Sequence, residues 1–233
     1  MNILVRNEVE TDYRKVEDIT RKAFWNLYFS GCNEHYLVHI MRNHKDFIKD
    51  LALVASVNEK VVGNVMYMKS CVKNEKDEIM ETITFGPVSI HPSYQRQGIG
   101  STLIRKSIEN AIEKKYKAII IYGYPNNYCK YGFKSSKDFN ISNKEGRFPY
   151  SMLALELEKN VFKDHSWKYY DSEAYNMDEK KVEEFDKLFT NKEKRYRYTQ
   201  EEFSIAFRAY LDYVWTIYPL TRLPGKKLSI TGI

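Results

Sequence analysis

Apolar residues recur along this chain with two periods, and the switches between them mark its elements. Residues 2–6 read as a first strand, and residues 51–57 and 61–72 read as a hairpin around Asn58-Glu59-Lys60. Between these, Val16, Ile19 and Phe24 keep helical spacing behind Thr11, a residue type suited to an N-cap. A second helix is expected over residues 34–47, with Leu37, Ile40 and Met41 on one face. Residues 82–90 read as a strand. Ile99, Leu103, Ile104, Ile108, Ala111 and Ile112 then repeat at helical spacing, while Arg105, Lys106, Glu109, Glu113 and Lys114 take the opposite face. Residues 118–122 are a short continuous apolar run of the kind buried on both faces of a sheet, and residues 152–157 read as a late strand. This order predicts a mixed α/β domain with its ligand where the central strands diverge.

The pattern changes after residue 158. The remaining chain is dense in aromatic and charged residues, among them Trp167, Tyr169, Tyr170, Tyr175, Phe185, Phe189, Tyr196, Tyr198, Tyr210, Tyr213, Trp215 and Tyr218. It holds two helical patterns, at about 178–189 and 199–213. A main domain over residues 1–158 and an extension over 159–233, packed on that domain, are therefore expected. Structural cover is the favoured role for the extension's aromatics; the alternative is a wall of a substrate pocket, where tyrosine and tryptophan offer stacking area and a polar tip.

Composition narrows the function classes. The 15% aromatic content argues against disorder, and no apolar run reaches the length of a membrane span. The opening Met1-Asn2-Ile3-Leu4-Val5-Arg6 turns polar too soon for a secretory signal, so a cytoplasmic protein is expected. The three cysteines, Cys32, Cys71 and Cys129, are too few and too widely spaced for a disulfide framework or a zinc cluster, and no metal is expected. The net charge of +6 comes from Lys and Arg interleaved with Asp and Glu, which argues for a solvated surface rather than a nucleic-acid footprint.

Candidate chemistry concentrates between residues 82 and 133. Gly98 and Gly100 follow an apolar strand and open a helix, so backbone N–H groups can approach an anion with no Cβ in the way, and Ser101 adds a hydroxyl in the first turn. The segment lacks both the P-loop spacing and the first glycine of the dinucleotide fingerprint. Gly86-Pro87 interrupts the strand before this turn. Proline cannot donate to a ladder, so a bulge or a parting from a neighbour is expected there, leaving free amides around Val88 to Ile90 that can pair with an extended ligand or stabilise an oxyanion.

Gly86-Pro87-Val88-Ser89-Ile90-His91-Pro92, the turn with Gln95, Gly98 and Gly100, and Tyr128-Cys129-Lys130-Tyr131-Gly132-Phe133 together resemble the cofactor-binding core of the GNAT superfamily of N-acetyltransferases. The close match covers residues 82–133, and the rest of the fold reads over residues 2–158. The resemblance implies a central mixed, mostly antiparallel sheet, splayed at the cofactor site and flanked by helices. It also implies acetyl-CoA as cosubstrate and direct attack by a primary amine of a small molecule or peptide, without nucleic acid or membrane. Cofactor contacts then fall to Val88, Ser89 and Ile90 on the strand and to Gln95, Arg96, Gln97, Gly98, Ile99, Gly100 and Ser101 around the turn. Arg96, Arg105 and Lys106 are available to steer the phosphates, with ordinary exposed helix charges the favoured reading of Arg105 and Lys106. Tyr128 is implied as the acid that protonates the leaving thiolate, with Tyr131 as the fallback, its favoured reading being a core residue beside Phe133. Asn126 and Asn127 sit too close to Tyr128 to match the asparagine that many members carry several residues earlier.

Glu34, Glu81 and His91 are the candidate bases, with ordered water as the alternative; Trp25, Tyr28 and Glu34 are candidates for the acceptor site. Cys129 reads as a half-buried helix cysteine, since no histidine and carboxylate arrangement surrounds it in sequence. Two competing functions remain at this level: a CoA-binding module without turnover, and a basic interaction domain with an accidental glycine turn.

Overall fold

The computed structural model describes residues 2–211, so Tyr213, Trp215 and Tyr218 lie outside the described residues. The chain opens with β1 (Ile3–Asn7) and α1 (Tyr13–Phe24). Asp12, not Thr11, organises the start of α1: its carboxylate accepts from the Val9 N–H at 3.0 Å and is gripped by Arg6 at 2.6 and 2.9 Å. The next helix, α2 (Glu34–Met41), stops short of the expected residue 47. The chain beyond it is pulled toward the sheet, where Phe47 bridges Met68 and the Ile48 N–H donates to the Tyr67 carbonyl.

The hairpin of β2 (Leu53–Val57) and β3 (Lys60–Asn74) forms through Asn58 and Glu59, both at positive φ, the conformation that lets a two-residue turn match the strand twist. β3 pairs along its length with β4 (Ile79–Ile90). The helix α3 (Ile99–Glu113), β5 (Ala118–Tyr122) and the single turn α4 (Pro125–Tyr128) follow, then the short strands β6 (Lys134–Ser135) and β7 (Ile141–Ser142) and the longer β8 (Met152–Glu156).

Period-2 alternation did not reveal the next strand, β9 (Trp167–Tyr170), which pairs with the far half of β3 from Cys71↔Tyr170 to Asn74↔Trp167. β2 covers the near half of the same β3 edge, so β9 continues the sheet where β2 leaves off. The helices α5 (Glu179–Asp186) and α6 (Tyr198–Arg208) complete the described chain, each shorter than its periodicity suggested.

The sheet runs β1-β2-β3-β4-β5-β8-β6, antiparallel except for β4 against β5, with β9 bridging β3 and a parallel β7. Alternation along β2 and β3 sends Leu53, Ala55, Val65 and Tyr67 to one face, where Ile99 and Leu103 of α3 pack. Val54, Met66 and Met68 go to the other, against Val16 and Ile19 of α1 and Leu37 and Met41 of α2. Ile112 departs from the expected helix face: it is 52% exposed, because Ala111, one position before it, points to the sheet.

Candidate active site

β4 and β5 run parallel but pair only at Ile83↔Ile119, and beyond that point they part. The register of β4 on β3 also slips between Val65 and Tyr67, opposite Gly86-Pro87. The open edge of β4 therefore begins where proline interrupts the strand. Its amides alternate in direction: the His91 N–H reaches back to the Val62 carbonyl at 2.8 Å, so Ser89 also points its N–H toward β3, while Val88 and Ile90 turn theirs toward the gap.

The turn after β4 is braced by glutamines. Gln95 Nε2 donates to the Ile90 carbonyl at 3.1 Å, and Gln97 Nε2 donates to the Ser93 carbonyl at 3.1 Å. Arg96 and Gly98 both take positive φ, +59° and +85°, and the Gly98 conformation is one that a side chain opposes. The first intrahelical bond of α3 runs from the Thr102 N–H to the Gly98 carbonyl at 3.0 Å, which leaves the N–H groups of Ile99, Gly100 and Ser101 at the helix mouth for an outside acceptor. Ser101 Oγ accepts from the Tyr131 hydroxyl at 2.9 Å and so keeps its own hydrogen to donate. Tyr131 is thus more than a core residue: it is half-buried and ties the chain after α4 to the first turn of α3. Arg105 and Lys130 lie over its ring at 5.4 and 5.2 Å, concentrating positive charge at this end, whereas Lys106 faces Glu109 on the exposed side of α3.

The gap opens into a cleft of about 700 Å³ lined by Val88, Ile90, Gln95, Arg96, Gly98, Gly100 and Ser101, with Tyr128 and Glu34 further along. Three candidates for cofactor contact do not present side chains to it. Ser89 is buried and donates to Thr20 Oγ1 at 2.9 Å, Ile99 is buried in the core under α3, and Gln97 is committed to Ser93. Ile99 keeps only its amide available.

Tyr128, the last residue of α4, packs against Phe85 and Phe133 with ring centroids 5.7 and 6.0 Å away. The ring lies so close to Gly123 that a Cβ there would stand 2.4 Å from Tyr128 Cε2, a requirement for glycine that the sequence did not announce. Burial pushes the phenol up to about 12, so it holds its proton at neutral pH.

Among the candidate bases, only Glu34 reaches the cleft. It opens α2 and accepts from the Asn33 N–H at 3.1 Å; the side chain keeps some contact with solvent while protein surrounds the carboxyl, and that burial raises it to about 7. Glu81 is exposed and paired with Lys69 at 3.2 Å, and His91 accepts from the Ser93 N–H outside the cleft.

Sequence reasoning missed a second carboxylate. Asp171, just past β9, lines the cleft and accepts from the Tyr169 hydroxyl at 2.9 Å and the Ser172 N–H at 3.2 Å. Surrounding protein raises it to about 6, although the group stays open to water, which screens part of that effect. Phe203 and Phe207 of α6 were missed too; their i,i+4 spacing is visible, but a stripe on a helix does not say what it faces. Phe203 stacks on Tyr28 at 4.3 Å and Phe207 meets Tyr124 edge-on at 5.9 Å. Trp25, a candidate for the acceptor site, lies elsewhere: its indole N–H donates to the Glu193 carbonyl and Arg21 covers its ring. Cys129 is exposed rather than half-buried, and Cys32 and Cys71 are free thiols as well. Among the described residues no cluster of side chains is suited to a metal ion, and no helix is long and apolar enough to cross a membrane.

Comparison with known proteins places these features in context. Residues 49–135 match the family model of the acetyltransferase (GNAT) domain. The uncharacterized N-acetyltransferase YhbS of Escherichia coli K12 is 26% identical over 158 residues, covering 67% of this chain and 87% of that protein. The crystal structure of the E. coli protein in complex with CoA superposes with a TM-score of 0.66 at 20% identity, over 76% of this chain and 93% of that one. A GNAT family acetyltransferase from Brucella melitensis in complex with acetyl-CoA gives a TM-score of 0.59 at 21% identity, over 75% and 98% of the two chains. These two structures share the fold: an open, mostly antiparallel sheet flanked by helices.

Proposed function

We propose that this chain, whose residues 49–135 match the acetyltransferase (GNAT) domain, acts as a GNAT N-acetyltransferase and that its cleft transfers an acetyl group from acetyl-CoA to a primary amine by direct attack. One observation carries this reading: the unpaired edge of β4, the open helix mouth at Gly98–Ser101, the protonated phenol of Tyr128 and the carboxyl of Glu34 all line a single cleft. The residues fit the cosubstrate by their donor set, since unpaired amides and the Ser101 hydroxyl suit a diphosphate, and the free edge of β4 suits the amides of a pantetheine arm.

Acetyl-CoA supplies an activated acetyl group. The chain's own residues do the rest. Arg96 and the Ile99, Gly100 and Ser101 amides hold the diphosphate, and the Val88 and Ile90 N–H groups align the arm and meet the negative charge that develops on the thioester oxygen. Glu34 accepts the amine's proton, directly or through water, and near neutral pH it is poised between its two forms. Tyr128 returns a proton to the departing thiolate; its hydroxyl meets no protein partner among the described residues, which leaves it free to donate.

Thiol release from acetyl-CoA across a panel of amines, with acetylated product identified by mass, tests the proposal. Tyr128→Phe should lower kcat about a hundredfold, with the CoA dissociation constant unchanged within about twofold. CoA binding without thiol release from any amine would leave only a binding module, and absence of CoA binding at physiological salt would remove the reading altogether.

A further inference from the structure

The acceptor end of the cleft has a composition of its own. The cations that line the cleft, Arg96 and Lys130, sit beside the glycine turn, Arg96 within it and Lys130 over the ring of Tyr131, whose hydroxyl meets Ser101. The carboxylates that line it, Glu34 in α2 and Asp171 just past β9, come from other elements than that turn. No other Lys, Arg, Asp or Glu among the described residues lines the cleft. An acceptor bearing a carboxylate or phosphate would meet two acidic groups there and, among the described residues, no cation, whereas an ammonium group is attracted to both.

The apolar part of this end is aromatic, and much of it comes from α6. Phe203 and Phe207 lie 4.0 Å apart, Phe203 stacked on Tyr28 and Phe207 edge-on to Tyr124, with Phe24 against Tyr28 at 5.6 Å. Tyr28, Tyr124, Tyr128 and Glu34 line the same cleft, which places this aromatic wall beside the proposed reacting groups. Among the described residues, core packing does not account for α6. Its phenylalanines are half-buried, Ile205 on its outer side is 60% exposed, and none of its residues belongs to the three buried clusters.

Polar bonds hold the helix in place instead, and they converge on Asn26. This buried residue donates to the Glu193 carbonyl, accepts from the Arg195 and Gly31 N–H groups, and offers its own carbonyl to Gln200, while Thr199 donates to the Leu27 carbonyl. The segment from Glu193 to Gln200 is thereby fastened to the loop that carries Tyr28 and leads to Glu34. Fixing two phenylalanines over a cleft with a helix whose one buried side chain, Gln200, is a polar anchor is the arrangement expected of a recognition wall.

Resting on the acetyl-transfer reading, we infer that the acceptor is a small aromatic amine, a flat ring on a short arm ending in a primary amino group, that carries no anionic group. A cleft of about 700 Å³ shared with the cosubstrate's arm holds a molecule of that size.

Full-length protein, acetyl-CoA and four amines test this: 2-phenylethylamine, 2-cyclohexylethylamine, phenylalanine and an Ala-initiated tripeptide. Expected kcat/KM for 2-phenylethylamine exceeds that of the cyclohexyl analogue about tenfold, from ring-on-ring contact, and that of phenylalanine about a hundredfold, from the unpaired carboxylate. Phe203→Leu should collapse the phenyl-to-cyclohexyl ratio toward one while the CoA dissociation constant, measured by calorimetry, stays put; Phe207→Leu serves if the first variant does not fold. Equal use of phenylalanine or the tripeptide, or a ratio insensitive to both variants, overturns the inference and leaves acetyl transfer standing. Absence of thiol release with any amine in a broader panel overturns both.

Discussion

The turn end of the cleft comes from one stretch of chain, β4 through the turn after α4, and presents mostly backbone: amides of Val88 and Ile90, amides of Ile99 to Ser101, and a single hydroxyl. The opposite end is gathered from α1 and its loop, α2, β5 and α4, the segment after β9, and α6, and presents side chains: Tyr28, Glu34, Tyr124, Asp171, Phe203 and Phe207. A backbone site recognises a fixed chemical group and tolerates sequence change so long as the path of the chain is kept. A side-chain site is re-specified by single substitutions. One cleft therefore joins a conservative half, suited to a common cosubstrate, to an adjustable half.

If that division holds, a change at one end should leave the constants of the other alone. Glu34→Gln removes the proposed base and should lower kcat/KM for the amine about a hundredfold or more, with CoA affinity intact. Its pH profile is the sharper readout. The carboxyl must be unprotonated to act and burial holds it at about 7, so wild-type activity should be lost as pH falls through about 7, and the variant should lack that limb. Stability runs the other way. Because the folded-state value lies above the ordinary carboxylate range, Glu34 favours the fold fully below that range and ceases to do so as pH rises through about 7, a slope that the glutamine abolishes. A variant that kept the acidic limb would move the base elsewhere, with Asp171 the first place to look.

Gly100→Val probes the other half. A Cβ at Gly100 would stand 3.6 Å from Ile90 Cγ1, an ordinary contact, so the fold accommodates it; Gly98, at positive φ, would instead be strained by any side chain. The added branches would project from the lining of the cleft and keep an anion from the helix mouth. Loss of one charge-assisted hydrogen bond, about 2 kcal/mol, corresponds to roughly thirtyfold weaker CoA binding. Calorimetry checks this, and a KM for the amine that rose in parallel would break the division between the two ends.

The same contrast decides what could be read from sequence. The turn end is local, so glycine spacing, the proline in the strand and the apolar helix placed its residues together in advance. Even there the direction of individual side chains was hidden, because a strand turns alternate residues away and a helix buries its inner face: Ser89 points to Thr20 and Ile99 to the core. The acceptor end depends on contacts between residues far apart in sequence. Trp167 and Tyr169 do alternate with Lys168 and Tyr170 as buried and exposed, yet four residues are too few to distinguish a strand from an aromatic loop, and without β9 nothing placed Asp171 at the cleft. Local patterns likewise extended α2 to residue 47, where the bridge from Phe47 to Met68 takes over from helix propensity.

The smallest expected effect tests the one place where a side chain intrudes on the backbone half. Tyr131 donates to Ser101 Oγ, which orients the serine so that its own hydrogen faces away from the tyrosine, toward the helix mouth. Tyr131→Phe leaves the ring in place beneath Arg105 and Lys130 and removes only that bond. Ser101 is then free to rotate and to hydrogen-bond back into its own helix, as serines in helices do. The loss is one oriented neutral donor, about 1 kcal/mol, or about fivefold in CoA affinity. Ser101→Ala should cost the same amount, and the double variant no more than either alone, because both remove the same donor. Additive losses would mean that Tyr131 reaches the phosphates by itself, and the turn end would then owe more to side chains than its unpaired amides suggest.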